Sequence, residues 1–224
     1  DNRLRSSILV EHNGENYCID TGPDFRQQML NNNVKSLSAI LYTHEHKDHL
    51  AGMDDVRAFN FKQKLPMDIY CTVDVEEALR REFYYVFLKD GYPGIPQVIL
   101  KRIDHTPFTL SSGISVTPIE VMHYKLPVLG FRIGDFTYIT DANFIEETEK
   151  EKIRGSEVLV VNALRQEKHI SHFTLQEAIA LATELNIPQT YFTHISHQLG
   201  LHTTISKELP LGIHLGFDGL VLNF

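Results

Sequence analysis

One short stretch constrains this chain more than any other: the apolar run Ala39-Ile40-Leu41-Tyr42-Thr43 leads directly into His44-Glu45-His46-Lys47-Asp48-His49. Four side chains with metal-binding atoms, His44, His46, Asp48 and His49, fall within six residues of a predicted buried strand. Side chains at i and i+2 of an extended segment point the same way, so His44 and His46 can grip one ion. Asp48 and His49 follow as the chain turns into a helix and can reach a second ion. Imidazole and carboxylate suit zinc and similar divalent ions. A zincin motif is excluded, because it needs a histidine at the fourth place after His44, where Asp48 stands. A solvated surface turn has no reason to follow a buried strand in this order.

Three more segments have the same form, an apolar strand ending in a ligand type. Ile119-Glu120-Val121-Met122 ends in His123, Phe136-Thr137-Tyr138-Ile139-Thr140 ends in Asp141, and Tyr191-Phe192-Thr193 ends in His194. With the first cluster they make seven candidate ligands, enough for two ions sharing a carboxylate. Asp20, closing Tyr17-Cys18-Ile19, is a further residue of this kind. As a carboxylate near imidazoles it suits the role of fixing a ligand histidine in one tautomer.

The rest of the pattern is mixed α/β. Asn13-Gly14 predicts a tight hairpin between strands 7–12 and 17–20. Helices are predicted over 24–33, 50–61, 75–88, 145–154 and 175–186, the last opened by a Thr174/Glu177 capping box and stopped by Pro188. Further strands are predicted over 67–72, 98–103, 114–121, 128–133, 136–140, 157–162, 213–216 and 220–223, and the Gly/Pro-rich stretch 89–96 reads as a loop. Hairpins among the strands disfavour a purely parallel doubly wound sheet and suit two β-sheets with helices outside.

Composition removes several classes. At 224 residues one domain is the default. Apolar runs such as Ala178–Ala182 are far short of the ~20 residues of a membrane helix. Two cysteines make no disulfide scaffold and suit a reducing cytoplasm, and no signal-peptide pattern opens the chain. A net charge of −8 argues against an extended nucleic-acid surface. The unusual number is 12 histidines, the commonest metal-ligand type.

The order His-x-His-x-Asp-His, then His123, Asp141 and His194, resembles the metallo-β-lactamase superfamily, whose fold is an αββα sandwich with a metal site at one end of the sheets. Asp20-Thr21-Gly22-Pro23-Asp24-Phe25-Arg26, the run from Gly52 to Asn60, and Pro127 to Gly134 more narrowly resemble the phosphonate-pathway phosphodiesterase branch, related to ribonuclease Z. The resemblance spans nearly the whole chain and implies one hydrolase domain over 1–224. It implies His44, His46 and His123 on a first ion, Asp48, His49 and His194 on a second, and Asp141 bridging, with zinc or manganese as the metals. The implied activity is hydrolysis of a small or cyclic phosphodiester, cyclic nucleotides included, by a hydroxide held between two ions and positioned by Asp48. Ser171-His172-Phe173-Thr174 lies where these enzymes carry a non-ligand histidine, which makes His172 the expected general acid, with His169 as a nearby competitor. Relatives often form homodimers.

Members of the family usually open with a Gly-rich strand and a cysteine cluster, and this chain begins at the residues that follow, so an N-terminal segment is expected to be missing. The structural zinc that His197 could share with that cluster is in doubt for the same reason. Rival readings are a nuclease of RNA ends, a thioesterase and a non-catalytic metal-binding scaffold. The thioesterase is disfavoured because His123 stands in Val-Met-His-Tyr-Lys-Leu-Pro rather than a Thr-Pro-Gly-His-like turn. No long basic insertion offers an RNA-binding arm, and drift to a scaffold should have broken the ligand set.

Overall fold

Asn13 and Gly14 both take positive φ, 52° and 76°, as a tight two-residue hairpin loop requires. The hairpin they close joins β1 (Ile8–His12) to β2 (Glu15–Ile19), with Ile8 opposite Ile19. The computed structural model describes residues 1–89 and 91–224. Asp90, inside the stretch read as a loop over 89–96, lies outside the described residues. Contacts divide the chain into two compact units, Leu4–Asp104 and Asp1–Arg3 with His105–Phe224, each built on its own sheet.

In the unit Leu4–Asp104, β3 (Ala39–Leu41), β4 (Met67–Cys71) and β5 (Val98–Arg102) follow β2 in parallel, giving the order β1-β2-β3-β4-β5. Helices α1 (Phe25–Asn31), α2 (Lys47–Leu50), α3 (Arg57–Gln63) and α4 (Val73–Glu82) lie between the strands. Phe25, Leu50, Met53, Phe59, Val75 and Leu79 pack with Cys18, Ile40 and Ile69 into its core.

The single helix predicted over 50–61 is broken. It stops at Leu50, passes through a 3-10 turn at Met53–Val56 and resumes at Arg57. Gly52 is the cause: its N–H donates to Thr21 O at 2.8 Å, and a Cβ there would run into the carbonyl oxygen of Gly22. The helix predicted over 75–88 ends at Glu82 and continues only as a 3-10 turn at Tyr84–Phe87. Phe83-Tyr84-Tyr85 is an aromatic run, and aromatic side chains lose χ1 freedom against the preceding helical turn.

The other unit carries β6 (Phe108–Thr109), β7 (Ser115–His123), β8 (Leu126–Ile133), β9 (Phe136–Ile139), β10 (Val158–Asn162), β11 (Gln189–Thr193) and β12 (Ile213–Leu215) in the order β12-β11-β10-β9-β8-β7-β6. Strands β6 to β9 are joined antiparallel and β9 to β12 parallel, so β7, β9, β10 and β11 run the same way. Every residue of β9 and β10 is buried, as parallel strands require. Helices α5 (Glu147–Ile153), α6 (Leu175–Glu184) and α7 (His202–Ile205) complete the unit. The capping box opens α6 as its sequence predicts: Glu177 N–H donates to Thr174 Oγ1 at 3.2 Å and Thr174 N–H to Glu177 Oε2 at 2.9 Å. The run predicted as a strand over 220–223 pairs with no strand. Its Leu220 N–H turns back to Phe217 O at 3.1 Å, because apolar alternation alone does not supply a partner edge. The two-residue β6 and the short α7 carry too few residues for a periodic signal.

Glu76 ties α4 to β5. It is 6% exposed and accepts from Arg80 Nε at 2.8 Å and Arg102 Nε at 2.7 Å. The Arg102 hydrogen bond, then that of Arg80, holds its carboxyl below the usual carboxylate range. A depressed folded pKa stabilises above the unfolded value and is lost as pH falls through the folded one. Glu76→Gln should therefore cost about 1 kcal/mol at neutral pH, the two arginines being largely solvent-screened. That difference should begin to shrink as pH falls past the ordinary glutamate value of about 4.3 and close once it passes the lowered folded one, as urea melts of both proteins across this range would read.

Candidate metal centre

In the unit Leu4–Asp104, the site residues hang from the ends of β2 and β3. Asp20 follows β2 with φ 63°, a left-handed turn that costs a non-glycine residue about 1–2 kcal/mol. It is fully buried and accepts three hydrogen bonds: Thr43 N–H to Oδ1 at 2.9 Å, and Thr43 Oγ1 and His49 Nδ1 to Oδ2, each at 2.8 Å. These bonds settle two tautomers. His49 carries its proton on Nδ1, facing the carboxylate. The one hydroxyl proton of Thr43 is committed to Asp20, so at 3.0 Å from His44 Nδ1 the Thr43 oxygen must accept, and His44 is also protonated on Nδ1. Both rings then present a lone pair on Nε2, the atom a metal takes.

His46, extended at ψ 148°, caps α2 and packs edge-on to His44 with centroids 4.6 Å apart. The His44 and His49 rings are 4.2 Å apart, and Asp48 Oδ2 lies 3.6 Å from His49 Nε2. The loop after β2 is stitched to α2 by Thr21 N–H donating to His49 O at 2.7 Å. Gly22 permits that approach, since a Cβ on it would meet the carbonyl oxygen of Asp48.

In the other unit, His123, Asp141 and His194 stand at or just past the C-terminal ends of β7, β9 and β11, which run the same way. Asp141 and His194 take positive φ, 56° and 53°. His123 Nδ1 donates to Ser171 O at 2.8 Å, leaving Nε2 as its ligand atom. Three Nε2 atoms gather on the Asp141 carboxylate: His194 at 3.1 Å, His172 at 3.4 Å and His123 at 3.9 Å. The His172 ring stacks on His194 at 4.9 Å and stands edge-on to His123 at 4.6 Å. Asp141, His172 and His194 also form a group able to hold an ion. Burial, more than any charge, pulls the His172 pKa down, while Asp141 pushes it up.

The structure therefore brings His44, His46, Asp48 and His49 together in one unit, with Asp20 behind them. In the other unit it brings His123, Asp141, His172 and His194 together. The donor set of imidazole nitrogens with fixed tautomers and carboxylates fits a divalent ion. Four supporting residues went unnoticed in the sequence. Thr43 and Ser171 bond ligand histidines, and Thr140 Oγ1 donates to Asp141 Oδ1 at 2.6 Å. Asn162, fully buried, brackets the backbone of Ala142 with bonds of 2.8 and 2.9 Å. Asn162 ends the apolar strand Val158–Asn162, so the pattern that marked Asp141 and His194 was present there too. His105 lies beside Glu120, His202 beside Arg3 and His214 on the Tyr191 ring.

Residues 15–195 match the model of the Beta-lactamase superfamily domain. A crystal structure described as a new diphosphatase from the PhnP family is 37% identical, covers 99% of this chain and 85% of that one, and superposes with a TM-score of 0.91. An octanoyltransferase of Porphyromonas gingivalis is 38% identical over 98% of this chain and 45% of its own length. The mitochondrial ribonuclease Z 2 of Schizosaccharomyces pombe is 25% identical over 88% of this chain and 32% of its own. The chain spans less than half the length of these two curated relatives.

Asp20→Asn keeps the shape of the buried side chain but removes its charge and one acceptor site. Metal affinity should fall about 10- to 100-fold, measured by competition with a chromogenic chelator, with the circular dichroism spectrum unchanged.

Proposed function

Because the chain belongs to the metallo-β-lactamase superfamily, with PhnP-family and ribonuclease Z proteins among its relatives, we propose that it hydrolyses small or cyclic phosphodiesters with two divalent ions, zinc or manganese. The observation that carries this reading is His172, with Nε2 3.4 Å from the Asp141 carboxylate, beside the candidate ligands His123 and His194. The whole sequence 1–224 then acts as one hydrolase domain. His44, His46 and His123 serve one ion, Asp48, His49 and His194 the other, and Asp141 both.

When bound, the two ions lower the pKa of water and offset charge on the phosphoryl oxygens. The chain's own residues do the rest. Asp20 and Thr43 hold His49 and His44 with Nε2 presented, and the Ser171 carbonyl does the same for His123. Asp48, part-exposed in the first turn of α2, positions the attacking water. His172 donates a proton from Nε2 to the departing oxygen: the N–H bond breaks, the O–H bond forms, and the alcohol leaves neutral. A small substrate suits a chain of net charge −8, because two divalent ions make the site itself attractive to an anion.

The octanoyltransferase relative raises acyl transfer as a second reading. More than half of that protein lies outside the match, room enough for a separate activity. Here Cys18 and Cys71 are buried, with burial pushing each thiol up to about 12, so neither supplies a thiolate nucleophile near neutrality.

His172→Ala should keep the metal content of the wild type and lose about 10²- to 10⁴-fold in kcat on a phosphodiester. Elemental analysis and turnover of bis(p-nitrophenyl) phosphate and 2′,3′-cyclic nucleotides measure both. Wild-type protein that takes up zinc or manganese yet turns over octanoyl thioesters and no phosphodiester would overturn the reading in favour of acyl chemistry.

A further inference from the structure

We infer that His169 is a positioning residue: its Nδ1 accepts the Nδ1 proton of His172 and so makes His172 Nε2 the atom that exchanges a proton at the site. The inference rests on the phosphodiesterase reading for its kinetic consequence, but not for its geometry.

Ser171 lies between His169 and His172 in the chain. Its backbone N–H donates to His169 Nδ1 at 3.3 Å, so that nitrogen carries a lone pair and no proton. His172 Nδ1 lies 3.1 Å from the same nitrogen, with the ring centroids 5.0 Å apart. Two lone pairs facing one another at this separation repel, so the proton between them must be on His172 Nδ1. The Ser171 hydroxyl oxygen, 3.1 Å from His172 Nδ1, is a second acceptor for the same proton. Burial, and the positive charge of Arg165 after it, hold the His169 pKa below the ordinary histidine value, which keeps the ring neutral and able to accept.

The other face of His172 explains why such a device matters. Asp141 Oδ2 lies 3.4 Å from Nε2, so this nitrogen faces the site. Without an acceptor at Nδ1, the neutral ring is free to carry its one proton on either nitrogen. A neutral ring with its one proton on Nε2 is no acid near neutrality, because losing that proton would leave an imidazolate; donation from Nε2 needs the ring that also keeps a proton on Nδ1. With His169 present, the Nδ1 proton stays in place in both charge states, and Nε2 alone loses and regains the other proton. The relation is that of a general acid to the group that orients it, with a neutral imidazole in place of a carboxylate.

The test compares His169→Leu, which removes the acceptor, with His169→Asn, whose Oδ1 occupies the place of Nδ1. On the zinc-loaded proteins, imidazole nitrogen NMR shifts read the His172 tautomer directly. Wild type and His169→Asn should show a protonated Nδ1, and His169→Leu a shift toward protonated Nε2. In turnover, His169→Leu should lose roughly 10- to 100-fold in kcat on a phosphodiester with a poor alcohol leaving group. The loss should be far smaller on bis(p-nitrophenyl) phosphate, whose leaving group needs little help, with KM and zinc content unchanged; His169→Asn should recover most of it. Protonated Nε2 in the wild type, or equal losses in the Leu and Asn variants and on both leaving groups, would overturn the inference. Absence of any phosphodiester turnover by the wild type would defeat the proposed function instead, and the tautomer readout would still decide the role of His169.

Discussion

A single buried carboxylate organises the Leu4–Asp104 half of this chemistry. Asp20 has no exposure to solvent, and an ion so placed is costly unless its oxygens are paired. It is paired three times, and each bond acts on the ligand cluster: one fixes the backbone at Thr43, one commits the Thr43 hydroxyl, one fixes His49. Through Thr43 the same carboxylate decides the tautomer of His44. The cost of burying Asp20 is offset only while the 43–49 segment holds its shape, so the charge and the ligand geometry sustain each other.

The second constraint is backbone conformation. Asp20, Asp141 and His194 follow strands and enter the left-handed region, which lets a straight strand stop and present a side chain at the sheet's end. Non-glycine residues held there mark strain that the surroundings must support. For Asp141 that support is visible in Thr140 and Asn162, and in Phe173 N–H donating to Ala142 O at 2.7 Å. That last bond also ties the segment bearing His172 to the strand end bearing Asp141. The segment bearing His172 is thus fixed to the end of the sheet by backbone hydrogen bonds.

Much of this was legible in the sequence because it follows local rules. The hairpin at Asn13-Gly14, the capping box at Thr174 and the apolar strands ending in a polar residue are each written within a few neighbouring positions. The supporting shell was not, because its bonds join residues far apart in the chain: Asp20 to His49, Ala142 to Asn162, His123 to Ser171. Ser, Thr and Asn carry no periodic signal that separates such partners from surface residues. Helix interruption at Gly52 was hidden for the same reason, since the carbonyl that excludes a side chain there belongs to Gly22. His169 was visible only as a rival to His172, and its contact with that ring gives it a different part.

We propose that seven residues, His44, His46, Asp48, His49, His123, Asp141 and His194, would hold two divalent ions, with His172 outside the coordination. Anomalous diffraction from crystals grown with zinc or manganese tests this most directly. The account predicts two peaks, with ligand atoms about 2.0–2.2 Å from each, Asp141 shared between them, and His172 Nε2 beyond bonding distance of both. A single peak bound by His172, or none at these residues, would contradict it.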